Sequence, residues 1–344
     1  MFMYHKSDWF KRLNSFEQQE TIRQIEYKEK HWPGLPDGAW SKNPNYHYPH
    51  ILPKGHLDKV FYPPIAKEVI DYCDKNDIAI HSEALNLRSS QVACFNVMFP
   101  LKNNPELAIK ALKSLLPGVT EVDTIEFEYT GDAKATEWLG EHAGGKRGQN
   151  RTSIDVAIWW RNETNKILTL VEWKYTERSF GGCGGYVSKG NIDNGQCDRM
   201  QIKNDNFVGK CYLTQGKNDR HYWERMQEAG INLQVSGSLS GCPFRGPFYQ
   251  LMRQFLLAAY LRKVDPVDVV DVALVSFKGN SLLLEISTEL NGLGENVVEV
   301  WNKVLRYVPE LRRVTVEEIA EGIGSSSDSI AILLAEYLKD RYGL

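Results

Sequence analysis

The chain has 344 residues, which is long enough to bury a large core in one elaborated domain or in two. Its composition is typical of a soluble globular protein, and no apolar run is long enough to cross a membrane. The first residues lack the apolar segment of a signal peptide, so the expected localisation is cytoplasmic.

The net charge of −3 gives no overall nucleic-acid signal, but charge is unevenly distributed. Residues 178–253 carry ten Lys and Arg against six Asp and Glu, a balance of +4, whereas residues 264–344 carry seven against fourteen, a balance of −7. A basic middle segment suits a polyanionic ligand, although separate solvated faces give the same count.

In the N-terminal part, Ser7 to Lys28 has helical periodicity. The stretch from His31 to Pro64 is rich in proline and aromatic residues, which exclude regular helix and most of a strand. Its histidines His47, His50 and His56 match no standard zinc spacing, and we expect them to be structural.

Three helices and one strand are expected next: Pro64 to Asn76, Ser89 to Pro100 and Pro105 to Leu116 as helices, and Val122 to Tyr129 as the strand. Pro100 is expected to end its helix. That helix is mostly apolar and therefore buried, so the amide of Gln91 needs polar partners. On the strand, Glu126 and Glu128 share a face and are expected to be exposed edge charges, with a supporting role at a site as the alternative.

The segment from Asn150 to Tyr175 has two β-rich apolar runs around a short polar connection, the pattern of an antiparallel hairpin. With the loop centred between residues 163 and 164, Asp155 lies opposite Glu172, and Lys174 shares their face. The residues expected on the other face are Ile154, Val156, Ile158, Val171 and Trp173.

Two carboxylates directly opposite each other repel, and burying them among apolar neighbours is costly. A Mg²⁺ ion between Asp155 and Glu172 removes both objections, because hard divalent ions bind through one or two carboxylates. Lys174 then lies beside the metal, placed to hold an anionic substrate. The alternative is a surface hairpin with a Glu–Lys pair and an unrelated Asp.

At these positions the chain resembles the PD-(D/E)xK nuclease superfamily, whose hairpin has Asp on one strand and Glu-x-Lys on the next. The matching residues are Ile154-Asp155 and Glu172-Trp173-Lys174, with Ile154 where the signature has Pro. The resemblance implies Mg²⁺ (or Mn²⁺) as cofactor and hydrolysis of DNA phosphodiester bonds. Alanine at Asp155, Glu172 or Lys174 is expected to abolish cleavage and leave the fold intact.

A second string, Leu-x-Ser-Ser-Gln-x-x-Cys-x-Asn, begins at Leu87 and resembles one group of restriction-endonuclease-like proteins, with similarity from about residue 81 to residue 260. In the superfamily a helix before the hairpin often supplies a further acidic residue, for which Glu83 is the nearest candidate metal ligand, and Gln91 is a candidate to line the site. A Gln-bearing helix after the hairpin often faces the site. The predicted helix from residue 247 to 262 has three polar residues close together on one face, Gln250, Arg253 and Gln254. Of these, Gln250 and Arg253 are the residues expected to face the site.

Residues 176–246 form a Gly-rich connection in which basic and aromatic residues alternate. Such a surface suits a nucleic-acid backbone and stacked bases, with an irregular subdomain as the alternative. The basic side chains predicted to bind substrate are Arg151, Arg178, Lys203, Lys210 and Arg253.

Four of the six cysteines fall in this same connection: Cys183, Cys197, Cys211 and Cys242. Disulfides are not expected in the cytoplasm. The four thiols are a candidate site for Zn²⁺ or an iron–sulfur cluster, although they contain no Cys-x-x-Cys pair. Four ordinary thiols are the alternative. Cys73 and Cys94 are expected in the core.

Towards the C-terminus, Asp268 to Phe277 is predicted as a strand, Leu282 to Ile286 as a shorter strand, and Asn296 to Leu344 as mostly helical and acidic. The order of elements predicts an α/β fold with a mixed central sheet flanked by helices, that is, a restriction-endonuclease-like core with N-terminal and C-terminal helical additions. The predicted units are an N-terminal helix and wrap (1–64), an α/β core (65–290) with an insertion at 176–246, and an acidic helical tail (291–344).

The sequence therefore predicts a Mg²⁺-dependent DNA endonuclease in restriction or defence, acting on duplex DNA as a homodimer or with a defence-system partner. The alternatives are an RNA-directed nuclease, a catalytically inactive nucleic-acid-binding module on the same fold, and a structural protein whose hairpin is only a charged face.

Overall fold

The computed structural model describes residues 7–142, 144, 146–147, 151–201, 207–236, 241–286 and 293–344. Among these residues no helix is long and apolar enough to span a membrane. The strands are β1 (Gly38–Trp40), β2 (Asn43–Tyr48), β3 (Glu121–Tyr129), β4 (Ile154–Arg161), β5 (Lys166–Lys174), β6 (Val269–Ser276) and β7 (Arg312–Thr315). The helices are α1 (Asp8–Lys11), α2 (Ser15–His31), α3 (Ala66–Lys75), α4 (Ser90–Lys102), α5 (Pro105–Ala111), α6 (Ala133–Trp138), α7 (Gln196–Arg199), α8 (Phe207–Lys210), α9 (Tyr222–Arg225), α10 (Phe248–Val264), α11 (Val297–Val304), α12 (Val316–Gly324) and α13 (Ser329–Tyr342).

The central sheet has five strands in the order β3-β4-β5-β6-β7. Strands β3, β4 and β5 are antiparallel neighbours, whereas β6 is parallel to β5 and β7 is parallel to β6. A parallel pair needs a crossover connection, and α10 supplies it between β5 and β6. This is the mixed α/β sheet flanked by helices that the order of elements predicts.

Helices cover both faces of the sheet because the β4–β5 hairpin is apolar on both sides. Val156 and Trp173 belong to one buried cluster, which also contains the apolar residues of α4 and α13. Ala157 and Leu170 belong to the other, which contains the apolar residues of α10 and α11. The predicted N-terminal wrap and C-terminal tail share the first cluster with the sheet. Their boundaries as units stay predictions.

The hairpin register is the one expected from the sequence. Val156 pairs with Val171 and Arg161 pairs with Lys166, which places Asp155 opposite Glu172. Beyond Val156 the central ladder ends, while β4 stays paired with β3 and β5 with β6. The two central strands therefore diverge at their charged ends. Their divergence opens a fork in the sheet.

One side chain of the hairpin departs from the expected alternation. Ile154 packs in the cluster of Leu168 and Leu170 and not in the cluster of Val156. Ile154 lies beyond the last β4–β5 pair, so the regular pleat no longer fixes the direction of its side chain.

Two of the expected helices differ in the structure. Helix α4 continues through Pro100 to Lys102, because the buried packing of Leu101 outweighs the one backbone hydrogen bond that a proline loses. The expected helix from Ser7 to Lys28 is divided in two. The side chain of Asn14 accepts from the Glu17 backbone N–H at 2.9 Å and begins α2 with a capping box.

Two strand expectations are wrong. Residues 282–286 do not form a strand, and Leu282–Leu284 is a single 3₁₀ turn. The edge of the sheet beside β6 is taken instead by β7, a four-residue strand too short to show a period. In the N-terminal wrap, β1 and β2 form a small hairpin although β2 contains Pro44. Both strands of a two-stranded sheet are edge strands, where proline is tolerated.

Candidate active site

An open cleft of about 500 Å³ lies at the fork between β4 and β5. Its walls come from the start of α4, the ends of β3, β4 and β5, and the first turns of α10. Its chemically distinctive lining residues are Glu83, Arg88, Gln91, Glu128, Arg151, Asp155, Glu172, Lys174, Gln250, Arg253 and Gln254. The fold therefore brings together most of the site residues predicted from the sequence.

Glu172 is the most heavily hydrogen-bonded acid of the cleft. Its side chain is 2 % exposed, and the Lys174 ammonium lies 2.5 Å from Oε1. Gln250 donates to Oε1 at 2.5 Å, and Gln254 donates to Oε2. These three donors orient the Glu172 carboxylate, and Lys174 is the one cation among them.

Lys174 is a buried ammonium, 8 % exposed. Burial by itself lowers the pKa of Lys174, but the carboxylates of Glu172, Glu177 and Asp155 together raise it above its ordinary value. Lys174 is therefore protonated at neutral pH. It can act as a hydrogen-bond donor and a positive charge in the cleft.

The surroundings of Asp155 disfavour its charged form, whereas those of Lys174 favour the charged form. Oδ2 of Asp155 accepts from the backbone N–H of Trp173 at 2.7 Å, across the gap where the ladder has ended. Burial raises the pKa of Asp155 well above its ordinary value, and the charges of Glu172 and Glu128 raise it further. The Lys174 charge opposes them only in part. A carboxylate in this condition gains from a neighbouring cation.

Glu128 contradicts the expectation of an exposed edge charge. It is 8 % exposed, and its carboxylate accepts from Gln91 at 2.7 Å and from Ser153 at 2.8 Å. Burial raises its pKa. The cause is a left-handed backbone (φ +47°), which breaks the alternation so that Phe127 and Glu128 are both buried. The signal that could have found Glu128 is its register, since the β3–β4 pairing places it beside Asp155.

Gln91 and Glu83 have different positions in the cleft. Gln91 donates to Glu128 and to Ala79 O (3.0 Å), and accepts from the His81 backbone at 2.8 Å. Gln91 therefore fixes the orientation of Glu128. Glu83 lies at the cleft wall and accepts from Ser41, and its role as a metal ligand stays a prediction.

Gln254 is a further residue of the site, on the same face of α10 as the predicted Gln250 and Arg253. Its Nε2 is bound to Glu172, and its buried Oε1 has no hydrogen-bond partner among the described residues. Arg253 instead donates to Thr152 Oγ1 at 3.0 Å and lies 3.5 Å from Glu141. Arg253 thus supports the segment that enters β4.

Glu141 is the centre of this support. It accepts from the backbone and hydroxyl of Thr152 (2.6 and 2.5 Å) and from the hydroxyl of Tyr222 (2.6 Å). Because Thr152 lies three residues before Asp155, the network connects the insertion to the β4–β5 hairpin. Sequence periodicity could not find it, since its paired members are 11 to 112 residues apart.

The other predicted phosphate-binding residues are scattered. Arg178 forms an ion pair with Glu17, with Nη2 2.5 Å from Oε2, and so attaches α2 to the end of the hairpin. Lys210 is exposed on α8 and is not part of the cleft wall. Lys203 lies outside the described residues. Substrate binding by these three stays a prediction.

Two arginines at the cleft wall have unused donors. Nε of Arg151 has no hydrogen-bond partner among the described residues, and the same holds for Nε and Nη1 of Arg88. Burial lowers the pKa of Arg88. Arg88 was not among the predicted residues, because nothing in its local sequence distinguishes it.

Cys183, Cys197, Cys211 and Cys242 are free thiols of intermediate exposure. The segments that carry them approach one another: the Cys242 N–H donates to Cys197 O at 2.6 Å, and the Cys183 N–H donates to Arg245 O at 3.2 Å. Within the described part of the chain, no group of three or more His, Cys, Asp or Glu side chains has an arrangement that could hold a metal ion.

A Mg²⁺ ion does not need such a group. Magnesium keeps several waters and is bound through one or two carboxylates and a substrate phosphate. Asp155 and Glu172 both line the fork, and the pKa of Asp155 is raised first by burial and then by the negative charges of Glu172 and Glu128. The donor set of the cleft therefore fits Mg²⁺ or Mn²⁺.

The five-stranded mixed sheet, flanked by helices and split at a carboxylate-bearing fork, defines a restriction-endonuclease-like fold. The family described as Restriction Endonuclease associating with ARP matches residues 13–343, and the chain belongs to this family. The resemblance noted at the hairpin is thereby confirmed. No curated protein and no solved structure matches the chain.

Proposed function

We propose that this protein is a Mg²⁺-dependent endonuclease that hydrolyses phosphodiester bonds of duplex DNA in restriction or defence. The observation that carries the proposal is the fork itself. A buried ammonium, Lys174, lies 2.5 Å from Glu172 and beside Asp155, in a cleft open to a polymer. Such a group of charges has no structural use that an apolar pair could not serve.

The residues divide into those that touch the reacting atoms and those that position them. Asp155 and Glu172 would hold Mg²⁺, which supplies Lewis-acid stabilisation of the phosphate and acidifies water. Lys174, being protonated, orients the attacking water and stabilises negative charge on the phosphate as the new P–O bond forms and the old one breaks. Gln250 and Gln254 fix the Glu172 carboxylate.

Two cationic residues of the cleft wall, Arg88 and Arg151, support a nucleic-acid substrate. Both line the cleft, and the planar fork of an arginine matches the oxygens of a phosphate. We propose that they contact the phosphates on either side of the bond that is cut.

The proposal predicts that the full-length protein converts supercoiled plasmid to nicked or linear DNA with Mg²⁺ or Mn²⁺ and not with EDTA. Lys174→Met should reduce the rate by roughly 10²–10³-fold, because it removes a donor aimed at the developing charge. Agarose gels over a time course measure both effects. Glu163→Gln, a carboxylate change in the exposed hairpin loop, is the matched control and should cleave as the parent does.

The alternatives make different predictions in the same assay. An RNA-directed nuclease cleaves labelled RNA and leaves plasmid intact. A catalytically inactive binding module binds duplex with a steep salt dependence and cleaves nothing with any metal. The family description names association with ARP, so we propose a partner of this kind in addition to nucleic acid, with a homodimer as the alternative assembly.

Zinc or an iron–sulfur cluster at the four thiols is a separate proposal. Its support is that three of the four cysteines, Cys183, Cys197 and Cys242, lie on segments joined by backbone hydrogen bonds, although they are distant in sequence. It predicts near-stoichiometric zinc, or iron with sulfide, in elemental analysis of anaerobically purified protein. Cys197→Ser should lose that metal and Cys73→Ser should keep it. Metal-free, folded parent protein would contradict the proposal.

A further inference from the structure

A second cleft, of about 550 Å³, lies away from the fork and has no role in the proposed chemistry. It is formed by α8, α9, the segment after α9 and the loop that follows α11. Its wall is aromatic and apolar: the rings of Phe207 and Trp223 stack at 4.1 Å, and Met226 lies beside them. The volume is that of a small-ligand site.

Tyr307, at the edge of this cleft, is unusual in two ways. Its exposed fraction is 104 %, and the side chain makes no hydrogen bond or ring contact with the described residues. Its backbone is left-handed (φ +60°), which is strained for an aromatic residue. A strained residue that contributes nothing to packing is a mark of function.

The surrounding structure holds Tyr307 in this position. The Arg306 N–H donates to Gly230 O at 2.8 Å, and the Asn232 N–H donates to Val304 O at 2.7 Å. A Cβ at Gly230 would lie 2.5 Å from Arg306 O, so the two segments pack too closely for any other residue. The backbone on the N-terminal side of Tyr307 is therefore held in place, while its side chain is exposed to solvent.

Polar groups around the cleft suit a nucleotide. The Arg306 guanidinium lines it and is fixed by Nη1, which donates to the carbonyls of Lys303 (3.2 Å) and Leu305 (2.9 Å). The amides of Gln227 and Asn232 also lie in the wall and can bond the edge of a base. Aromatic rings with amides and a guanidinium are the groups that bind unpaired bases.

This cleft is connected to the active site. Trp223 follows Tyr222, whose hydroxyl donates to Glu141, and Glu141 holds Thr152 at the entry to the catalytic strand. We propose that the cleft binds an unpaired nucleobase of the substrate strand, stacked on Tyr307, while the active site engages the duplex. The proposal rests on the proposed function only in that the substrate is nucleic acid.

Fluorescence anisotropy in EDTA, without cleavage, tests this. The probes are a labelled duplex and the same duplex with one unpaired adenine. The parent should prefer the bulged duplex, and Tyr307→Gly should lose at least about five-fold in affinity for it while binding the paired duplex unchanged. Because glycine accepts φ +60°, the melting temperature of this variant should be equal or higher.

Two variants complete the design. Tyr307→Phe keeps the ring and should bind as the parent does. Tyr46→Ala removes a tyrosine that is 56 % exposed on β2, outside the cleft, and should also have no effect. A parent without preference for the bulge, or a Tyr307→Gly protein that binds it normally, overturns the proposal. The second result would indicate that the cleft binds a protein partner and not a nucleobase.

The outcomes separate this proposal from the proposed function. Plasmid cleavage that depends on Lys174, together with normal bulge binding by Tyr307→Gly, overturns the proposed nucleobase site and leaves the proposed nuclease function in place. Bulge binding that depends on Tyr307, without cleavage under any metal, supports the cleft and contradicts the nuclease. A parent that binds no nucleic acid overturns both.

Discussion

Asp155→Asn should abolish Mg²⁺-dependent cleavage, by roughly 10²–10³-fold or more, and at the same time raise the melting temperature measured in EDTA. The loss of activity follows from removing a metal-binding carboxylate. The gain in stability follows because the asparagine oxygen can still accept from the Trp173 N–H, while the repulsion from Glu172 and Glu128 disappears. Each like charge opposite Asp155 lowers the free energy of unfolding by about 0.2–1 kcal/mol. Removing this repulsion should therefore raise the melting temperature on the order of 1–3 °C.

The stability that Asp155 contributes to the fold should decrease as the pH rises. The pKa of Asp155 is raised in the folded protein, so the stability it contributes is fully present below its unfolded pKa and is lost as pH rises through the folded pKa. The stability advantage of Asp155→Asn should therefore be small at acid pH and grow towards neutral pH. Differential scanning calorimetry across this range measures it, with Glu163→Gln as the control.

Metal gives an independent readout of the same residue. Mg²⁺ that binds the folded state should raise the melting temperature of the parent and not that of Asp155→Asn. Equal stabilisation of both proteins by Mg²⁺, or full cleavage by Asp155→Asn, would contradict the assignment of Asp155 as a metal ligand.

Glu172→Gln should behave differently from Asp155→Asn and destabilise the fold. The sequence suggests that either carboxylate can be removed without loss of stability. The structure shows instead that Glu172 is the direct ion-pair partner of buried Lys174. Leaving one member of a buried ion pair alone costs about 3–5 kcal/mol, a fall in melting temperature on the order of 10 °C. Cleavage should be lost as well.

The double variant Glu172→Gln, Lys174→Met separates stability from activity. It removes both charges, so most of the lost stability should return, whereas cleavage should remain abolished. Lys174→Met alone should cost less than Glu172→Gln, because Gln250 and Gln254 still donate to the remaining carboxylate. Denaturant unfolding of the four proteins gives the coupling energy. A coupling near zero would show that the pair is not a buried unit, and the exposed Lys166→Met serves as the control for lysine removal.

The sequence by itself determined the hairpin that carries the candidate site. A strand has a period of two and a short loop fixes the register, so the positions of Asp155, Glu172 and Lys174 on one face follow from residues 150–175 alone. The helices on both sides of the sheet follow in the same way from apolar periodicity. These features depend on contacts between residues close in sequence.

Only the tertiary structure decided which distant side chains become partners in and around the candidate site. Gln254 reaches Glu172 across 82 positions, Gln91 reaches Glu128 across 37, and Arg178 is paired with Glu17 across 161. No local pattern encodes such distances. The burial of Glu128 likewise depends on a left-handed backbone that strand periodicity cannot predict. Local propensity specifies which residues share a face, whereas packing of distant elements specifies which acid is buried, which is paired and which is left for a cation.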